Sequence, residues 1–68
     1  MYLFKTELKK GALDGRTMTS IAEKIGITKA YVIMIMNGKS TCSKLVAYCL
    51  TKVLDPNSEI NDYFIRED

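Results

Sequence analysis

Small and branched apolar residues between Thr17 and Lys39 fall at the spacing that two short crossed helices require. Ala22 stands where one helix would lie across the other, and a small side chain there lets the two helices approach closely. Gly26 can adopt the left-handed backbone that ends a helix and reverses the chain. The branched residues converge on one inner face across that turn: Ile21, Ile25, Ile27, Val32 and Ile35. This stretch therefore predicts a pair of helices joined by a tight turn.

Capping residues define the ends of this helix pair. The first helix is predicted to begin after a Thr17 cap and to end at Gly26. The second is predicted to begin after a Thr28 cap and to end near Asn37, with Gly38 in the left-handed position beyond it. Both helices therefore have a start signal and a stop signal in the sequence.

The pattern before the pair predicts another helix, from Tyr2 to Leu13, which Asp14 and Gly15 end. Its apolar side chains Leu3, Phe4 and Leu8 are expected to face inward, and its lysines to face outward: Lys5, Lys9 and Lys10.

Two more helices are predicted after the pair. One follows a cap at Ser40 or Thr41 and reaches Leu54, with an apolar side made of Leu45, Val46, Cys49, Leu50 and Val53. The other starts from an Asp55 cap with Pro56 in its first turn, and returns three side chains to the core: Ile60, Tyr63 and Phe64. The sequence thus predicts an all-α chain of five helices without a strand, in a single domain spanning residues 1–68.

Composition agrees with one small globular domain. The chain is 47% hydrophobic and 26% charged, as in folded rather than disordered proteins. No apolar run approaches the roughly 20 residues of a membrane span, and no signal peptide is recognisable, so a cytoplasmic location without membrane contact is expected. A chain of 68 residues buries only about 60% of its unfolded surface, so dimerisation would help to stabilise it.

The net charge of +2 conceals an uneven distribution. Residues 1–54 contain nine Lys and Arg against three acids, a net charge of +6, whereas residues 55–68 contain five acids and one Arg, a net charge of −4. This asymmetry predicts a basic face for nucleic acid and an acidic end pointing away from it, although ordinary solvated charge is the alternative.

The sequence offers little for catalysis or metal binding. If Cys42 and Cys49 share one helix, seven residues separate them by about 10 Å, beyond the reach of a disulfide, so both are expected to be buried as small apolar residues. There is no His, no metal-ligand spacing and no phosphate-binding glycine loop. We therefore expect no metal, no cofactor, no small-molecule substrate and no enzymatic activity.

The helix pair resembles the helix-turn-helix of the lambda-repressor-like, Cro and XRE-type regulators of phages and mobile elements. The resemblance covers most of the chain. It is strongest at Ile21, Ala22, Gly26, Val32, Ile35 and the segment Asn37 to Lys39, and weaker in the tail from Glu59 to Phe64. It implies a compact five-helix DNA-binding domain that acts as a transcriptional regulator on double-stranded operator DNA.

The resemblance also implies which residues contact DNA. With Val32 and Ile35 inward, the outward positions of the second helix are Lys29, Ala30, Ile33, Met34 and Asn37. Lys29 can donate to guanine, and the apolar side chains can contact thymine methyl groups. Further contacts, mostly to phosphates and sugars, are expected from the hydroxyls of Thr28 and Tyr31, from the helix start at Thr17, Met18 and Thr19, and from Lys39, Ser40 and Lys44.

Two positions differ from the usual pattern of these regulators. Met18 replaces a common Gln, and Ile33 with Met34 replaces a polar or basic pair. Either Met34 or Met36 packs inside, leaving only Ile33 exposed, or Met18, Ile33 and Met34 form an exposed patch. Such a patch favours a thymine-rich groove, and the alternative is a protein-interaction module, such as an antirepressor or assembly adaptor, with a partner-binding apolar helix.

A single domain of this size covers too little DNA for regulatory affinity, so a homodimer on two half-sites is expected. The last helix and Ile65 are the predicted dimer seam, because they are apolar within an acidic tail. Tyr48 and Tyr63 are expected to be half-buried packing residues.

Overall fold

A two-stranded antiparallel sheet joins the two ends of a mostly helical chain. The computed structural model describes residues 1–13 and 15–67. In chain order, the elements are β1 (Tyr2–Phe4), a 3-10 turn (Thr6–Leu8), α1 (Lys9–Ala12), α2 (Met18–Ile25), α3 (Lys29–Met36), α4 (Lys44–Leu54), α5 (Ile60–Tyr63) and β2 (Phe64–Arg66).

The predicted ends of the central helix pair are confirmed. The hydroxyl of Thr17 accepts a hydrogen bond from Ser20 N at 3.0 Å, and α2 ends at Gly26, whose φ is 87°. The hydroxyl of Thr28 accepts from Tyr31 N at 3.2 Å. Gly38, with a φ of 72°, follows the end of α3. The inner face is buried as expected at Ile21, Ala22, Val32 and Ile35, while Ile25 and Ile27 are half-buried.

The prediction of a helix from Tyr2 to Leu13 is wrong at its first half. Tyr2–Phe4 is a strand that pairs with β2, in the register Tyr2 with Arg66 and Phe4 with Phe64. The helix itself is limited to Lys9–Ala12, and Leu8 lies exposed rather than inward. The predicted stop at Asp14 lies outside the described residues. The pairing of β1 with β2 joins the two ends of the chain and leaves no pattern in the local sequence. The helical spacing of the apolar residues near Tyr2 therefore predicted the wrong element.

The other edge of β1 pairs with Cys42. Tyr2 N donates to Cys42 O at 2.8 Å, and Cys42 N donates to Tyr2 O at 2.9 Å. This bridge keeps Cys42 out of the helix, and α4 begins only after Ser43, whose hydroxyl accepts from Val46 N at 3.3 Å. The predicted cap at Ser40 or Thr41 is therefore wrong, and so is the assumption that both cysteines share a helix. Both are free thiols, with Cys42 buried as expected and Cys49 half-buried.

The buried face of α4 is rotated by about one residue from the predicted one. Leu45 is 72% exposed, whereas the buried side chains are Ala47, Leu50, Thr51 and Leu54. Thr51 can be buried because its hydroxyl donates to Ala47 O at 2.8 Å, which satisfies the polar group inside the helix. Helix α4 packs against α2, and Ala47 and Thr51 are small residues on the buried face of α4.

The last helix starts later than predicted. Glu59, not Asp55, precedes it, and a capping box joins Glu59 to Asp62, with Glu59 N donating to Asp62 Oδ2 at 2.7 Å. Asp55 instead closes a turn, in which its carboxylate accepts from Asn57 N at 3.0 Å and from Ser58 Oγ at 2.8 Å. These hydrogen bonds, first that from Asn57, lower the pKa of Asp55. Ile60 and Tyr63 contact the core as predicted, but Phe64 does so from β2.

Burial of Cys42 makes the stability of the fold sensitive to alkaline pH. Desolvation raises the pKa of its thiol from 9.0 to about 11, and the nearby N-terminal ammonium group opposes this to a smaller extent. The pKa of Cys42 is higher in the folded chain than in the unfolded chain. The stabilising contribution of the buried thiol is therefore complete below pH 9.0 and is lost as the pH approaches 11.

We therefore expect the stability advantage of the wild-type chain over Cys42→Ala to shrink by on the order of 2 kcal/mol between pH 8 and 11. Urea denaturation of both chains across this range measures the difference, and the Cys49→Ala variant is the control. A constant difference between wild type and Cys42→Ala would contradict the prediction.

Candidate nucleic-acid interface

The outward face of α3 combines one cation with small and flexible apolar side chains. Lys29, Ala30 and Asn37 are exposed, Met34 is 45% exposed, and Ile33 is half-buried. Met36 is fully buried with the inner face of the helix. The structure thus separates the two methionines: Met36 belongs to the core, and Met34 belongs to the surface together with Ile33.

The start of α2 provides backbone donors. Thr17 uses its hydroxyl to cap Ser20 N. The amides of Met18 and Thr19 lie in the first turn, where no helix carbonyl is available to them, and the helix dipole adds partial positive charge there. Thr19 is exposed, and Met18 is half-buried against the core. This end of α2 has the donors that a phosphate group needs.

The start of α3 is arranged in the same way. Thr28 caps Tyr31 N, and the amides of Lys29 and Ala30 occupy the first turn. The hydroxyl of Thr28 accepts this hydrogen bond and can still donate its own proton. Tyr31 is half-buried and contacts the core. The ring of Tyr31 therefore packs inside, and any contact from this residue is limited to its hydroxyl.

The end of α3 is held by backbone hydrogen bonds and by a distant lysine. Lys39 N donates to Met34 O at 2.9 Å, and Gly38 N donates to Ile35 O at 3.0 Å, so the helix carbonyls are satisfied past its end. Lys9 Nζ donates to Asn37 Oδ1, which leaves the amide nitrogen of Asn37 available as a donor. Because Lys9 lies 28 residues from Asn37, no spacing rule indicates this contact, and Lys9 could not be predicted from the sequence as a neighbour of the α3 end.

The remaining predicted phosphate contacts do not all lie on α3. Lys39 is exposed directly after the helix, and Ser40 is half-buried with its hydroxyl donating to Thr41 O at 3.0 Å. Lys44 is exposed at the first position of α4 and lines a groove between α4 and α5, together with Tyr48. Lys29 thus lies on α3, Lys39 lies directly after it, and Lys9 contacts its end. Lys44 lies elsewhere, in the groove between α4 and α5.

The charged residues on α3 and directly after it are basic. The sequence of α3 contains Lys29 and no acidic residue. Lys39 follows it, and Lys9 is held at its end. The described acidic residues of the tail lie on α5 and after it or in the turn before it. The face therefore suits a polyanion better than a cationic partner.

Comparison with known proteins yields no assignment: no protein-family model, no curated protein and no solved structure matches this chain. In the described part of the chain, no helix has the length and apolar character needed to cross a membrane. Within residues 1–13 and 15–67, no three His, Cys, Asp or Glu side chains group together as metal ligands.

Proposed function

We propose that this protein is a sequence-specific DNA-binding transcriptional regulator, of the repressor or Cro-like kind found in phages and mobile elements, without enzymatic activity. In this proposal α2 and α3 form a helix-turn-helix, and α3 enters the major groove of operator DNA. The observation that carries the proposal is the two-sided character of α3. Val32, Ile35 and Met36 anchor one side in the core, while Lys29, Ala30 and Met34 are exposed on the other.

Each exposed group of α3 has a partner in the groove. Lys29, in the first turn, donates to guanine O6 or N7. Ala30 and Met34 contact thymine methyl groups, and the amide nitrogen of Asn37, oriented by Lys9, donates to an acceptor on a base or phosphate. Shape and apolar contact therefore contribute much of the specificity, which favours thymine-containing sites.

Contacts outside the groove fix the register of the helix. The first-turn amides of α2 receive one phosphate, and Lys39 binds another. A single copy contacts one half-site, and two copies on half-sites about 34 Å apart supply regulatory affinity. The functional unit in this proposal is therefore a homodimer.

The salt dependence of binding tests the contribution of phosphates. DNA selected from a random pool is titrated with the protein by fluorescence anisotropy at several salt concentrations. Each neutralised phosphate contributes about −0.9 to the slope of log K against log salt. A Lys39→Ala dimer loses one contact per copy, so its slope should be shallower by about 2, with an unchanged preferred sequence.

Lys24→Ala is the matched control, because Lys24 is an exposed lysine in the last turn of α2, opposite to the end that receives a phosphate. Its slope should equal that of the wild type. Equal slopes for Lys39→Ala and the wild type would show that Lys39 does not contact a DNA phosphate. Failure to enrich any DNA sequence would contradict the proposed function itself.

A second candidate function is a protein-interaction module, an antirepressor or assembly adaptor that uses the same helix. The observation in its favour is the exposure of Met34 beside Ile33 and Ala30, which gives α3 an apolar strip in place of polar base-reading side chains. Binding through that strip would change little with salt, since burial of apolar surface releases no counterions. The titration above therefore distinguishes the two functions.

A further inference from the structure

Helix α4 has more apolar surface than the core covers. Ala47, Leu50 and Leu54 are buried, yet Leu45 is 72% and Tyr48 50% exposed on the opposite flank, which leaves half of the Tyr48 surface covered, as predicted. A helix whose apolar residues extend beyond its packed side is normally covered by a further element. No described element buries Leu45 or Tyr48 completely, so this flank of α4 is a candidate contact surface.

A groove of about 370 Å³ runs beside this flank, between α4 and α5. Lys44 and Lys52 line it from α4, and Glu59 lines it from the start of α5, with Tyr48 and Ile60 also in its lining. Lys52 Nζ lies 5.5 Å from the centroid of the Tyr48 ring and donates to Ser58 O at 2.9 Å. The groove therefore has a basic α4 side, an acidic α5 side and an aromatic ring between them.

We propose that a second copy of this chain docks on this α4–α5 groove and forms a two-fold symmetric dimer. A two-fold axis brings each surface patch against the same patch of the other copy. Lys44 of one copy then faces Glu59 of the other, twice, while Leu45 and Tyr48 of both copies pack around the axis. A partner of one charge sign would meet repulsion on one side of the groove, whereas a second copy matches both sides.

This inference deepens the proposed function by naming the surface that makes the dimer. It moves the seam from Ile65, which lies on β2 opposite Leu3, to α4, and retains Ile60 and Asn61 from the last helix. None of the exposed α3 residues lines the groove, so DNA and a second copy use separate surfaces.

Sedimentation equilibrium without DNA tests the inference on the full chain at increasing concentrations. The wild type should shift from monomer to dimer, and Leu45→Glu should remain monomeric, with a dissociation constant raised at least about 30-fold. Glu at this position suits the first turn of α4, so circular dichroism should show an intact fold. Ile65→Glu is the matched control, an exposed apolar residue on β2 outside the groove, and should dimerise like the wild type.

A second pair of variants tests the charge pairing. Lys44→Glu alone should weaken the dimer about tenfold, because two carboxylates then face each other. Adding Glu59→Gln should restore part of the affinity, since Gln removes the charge but keeps the oxygen that caps α5. A strictly monomeric wild type, an unaffected Leu45→Glu dimer, or no recovery in the double variant would each overturn the inference. A chain that dimerises as described but enriches no DNA would contradict the proposed function alone.

Discussion

Replacement of Phe64 by alanine is expected to remove a large part of the stability of the fold, about 3–5 kcal/mol. Phe64 is only 1% exposed, and its ring meets that of Phe4 edge to face with centroids 5.4 Å apart. Loss of a buried phenylalanine costs about 3–5 kcal/mol. A chain of this length has a total stability of roughly 3–10 kcal/mol, so the variant loses about a third of it or more. The loss also removes the apolar contact that holds β2 on β1.

Urea denaturation followed by circular dichroism measures this effect. Ile65→Ala is the control, because Ile65 is the next residue in β2 but is 50% exposed. Its midpoint should shift by the equivalent of about 1 kcal/mol or less. Equal shifts for both variants would mean that the sheet does not organise the core as described.

The second large effect is expected from Lys29→Glu, which should abolish specific DNA binding while slightly stabilising the fold. Lys29 is exposed at the first position of α3, where a carboxylate interacts favourably with the helix dipole by about 0.3–1 kcal/mol. In the groove, the variant loses the donor to guanine, worth about 2 kcal/mol per copy. Two copies on one operator then lose on the order of 1,000-fold in affinity.

This prediction is specific because Lys29→Glu should weaken DNA binding while it slightly stabilises the fold. Thermal denaturation should show an equal or higher midpoint for Lys29→Glu, and anisotropy with the selected DNA should show the loss of binding. Lys24→Glu makes the same change of charge at the last turn of α2 and should reduce binding by less than about tenfold. Similar losses for both variants would point to general charge attraction rather than to a helix in the groove.

Local sequence was sufficient for the central helix pair. Thr17, Gly26, Thr28 and Gly38 act through hydrogen bonds and backbone angles within a few residues, and all four lie where the sequence predicts them. The outward placement of Lys29 follows from the same helical period. These features could be predicted because the interactions that produce them are short-range.

Long-range contacts account for the errors. The strand at Tyr2–Phe4 forms because β2, more than 60 residues later, supplies its backbone partners. The contact between Lys9 and Asn37, which orients a candidate base-contacting amide, likewise joins distant segments. No periodicity within either segment encodes its partner.

The rotation of α4 shows the same limit in packing. Leu45 is more apolar than Ala47 or Thr51, yet the two small residues are buried and Leu45 is exposed. The helix pair, its caps and the exposed face of α3 follow from residues adjacent along the chain, so local patterns are enough to predict them. The terminal sheet, the start and orientation of α4 and the surroundings of Lys44 depend on which distant surfaces meet, so they emerge only when the chain is folded.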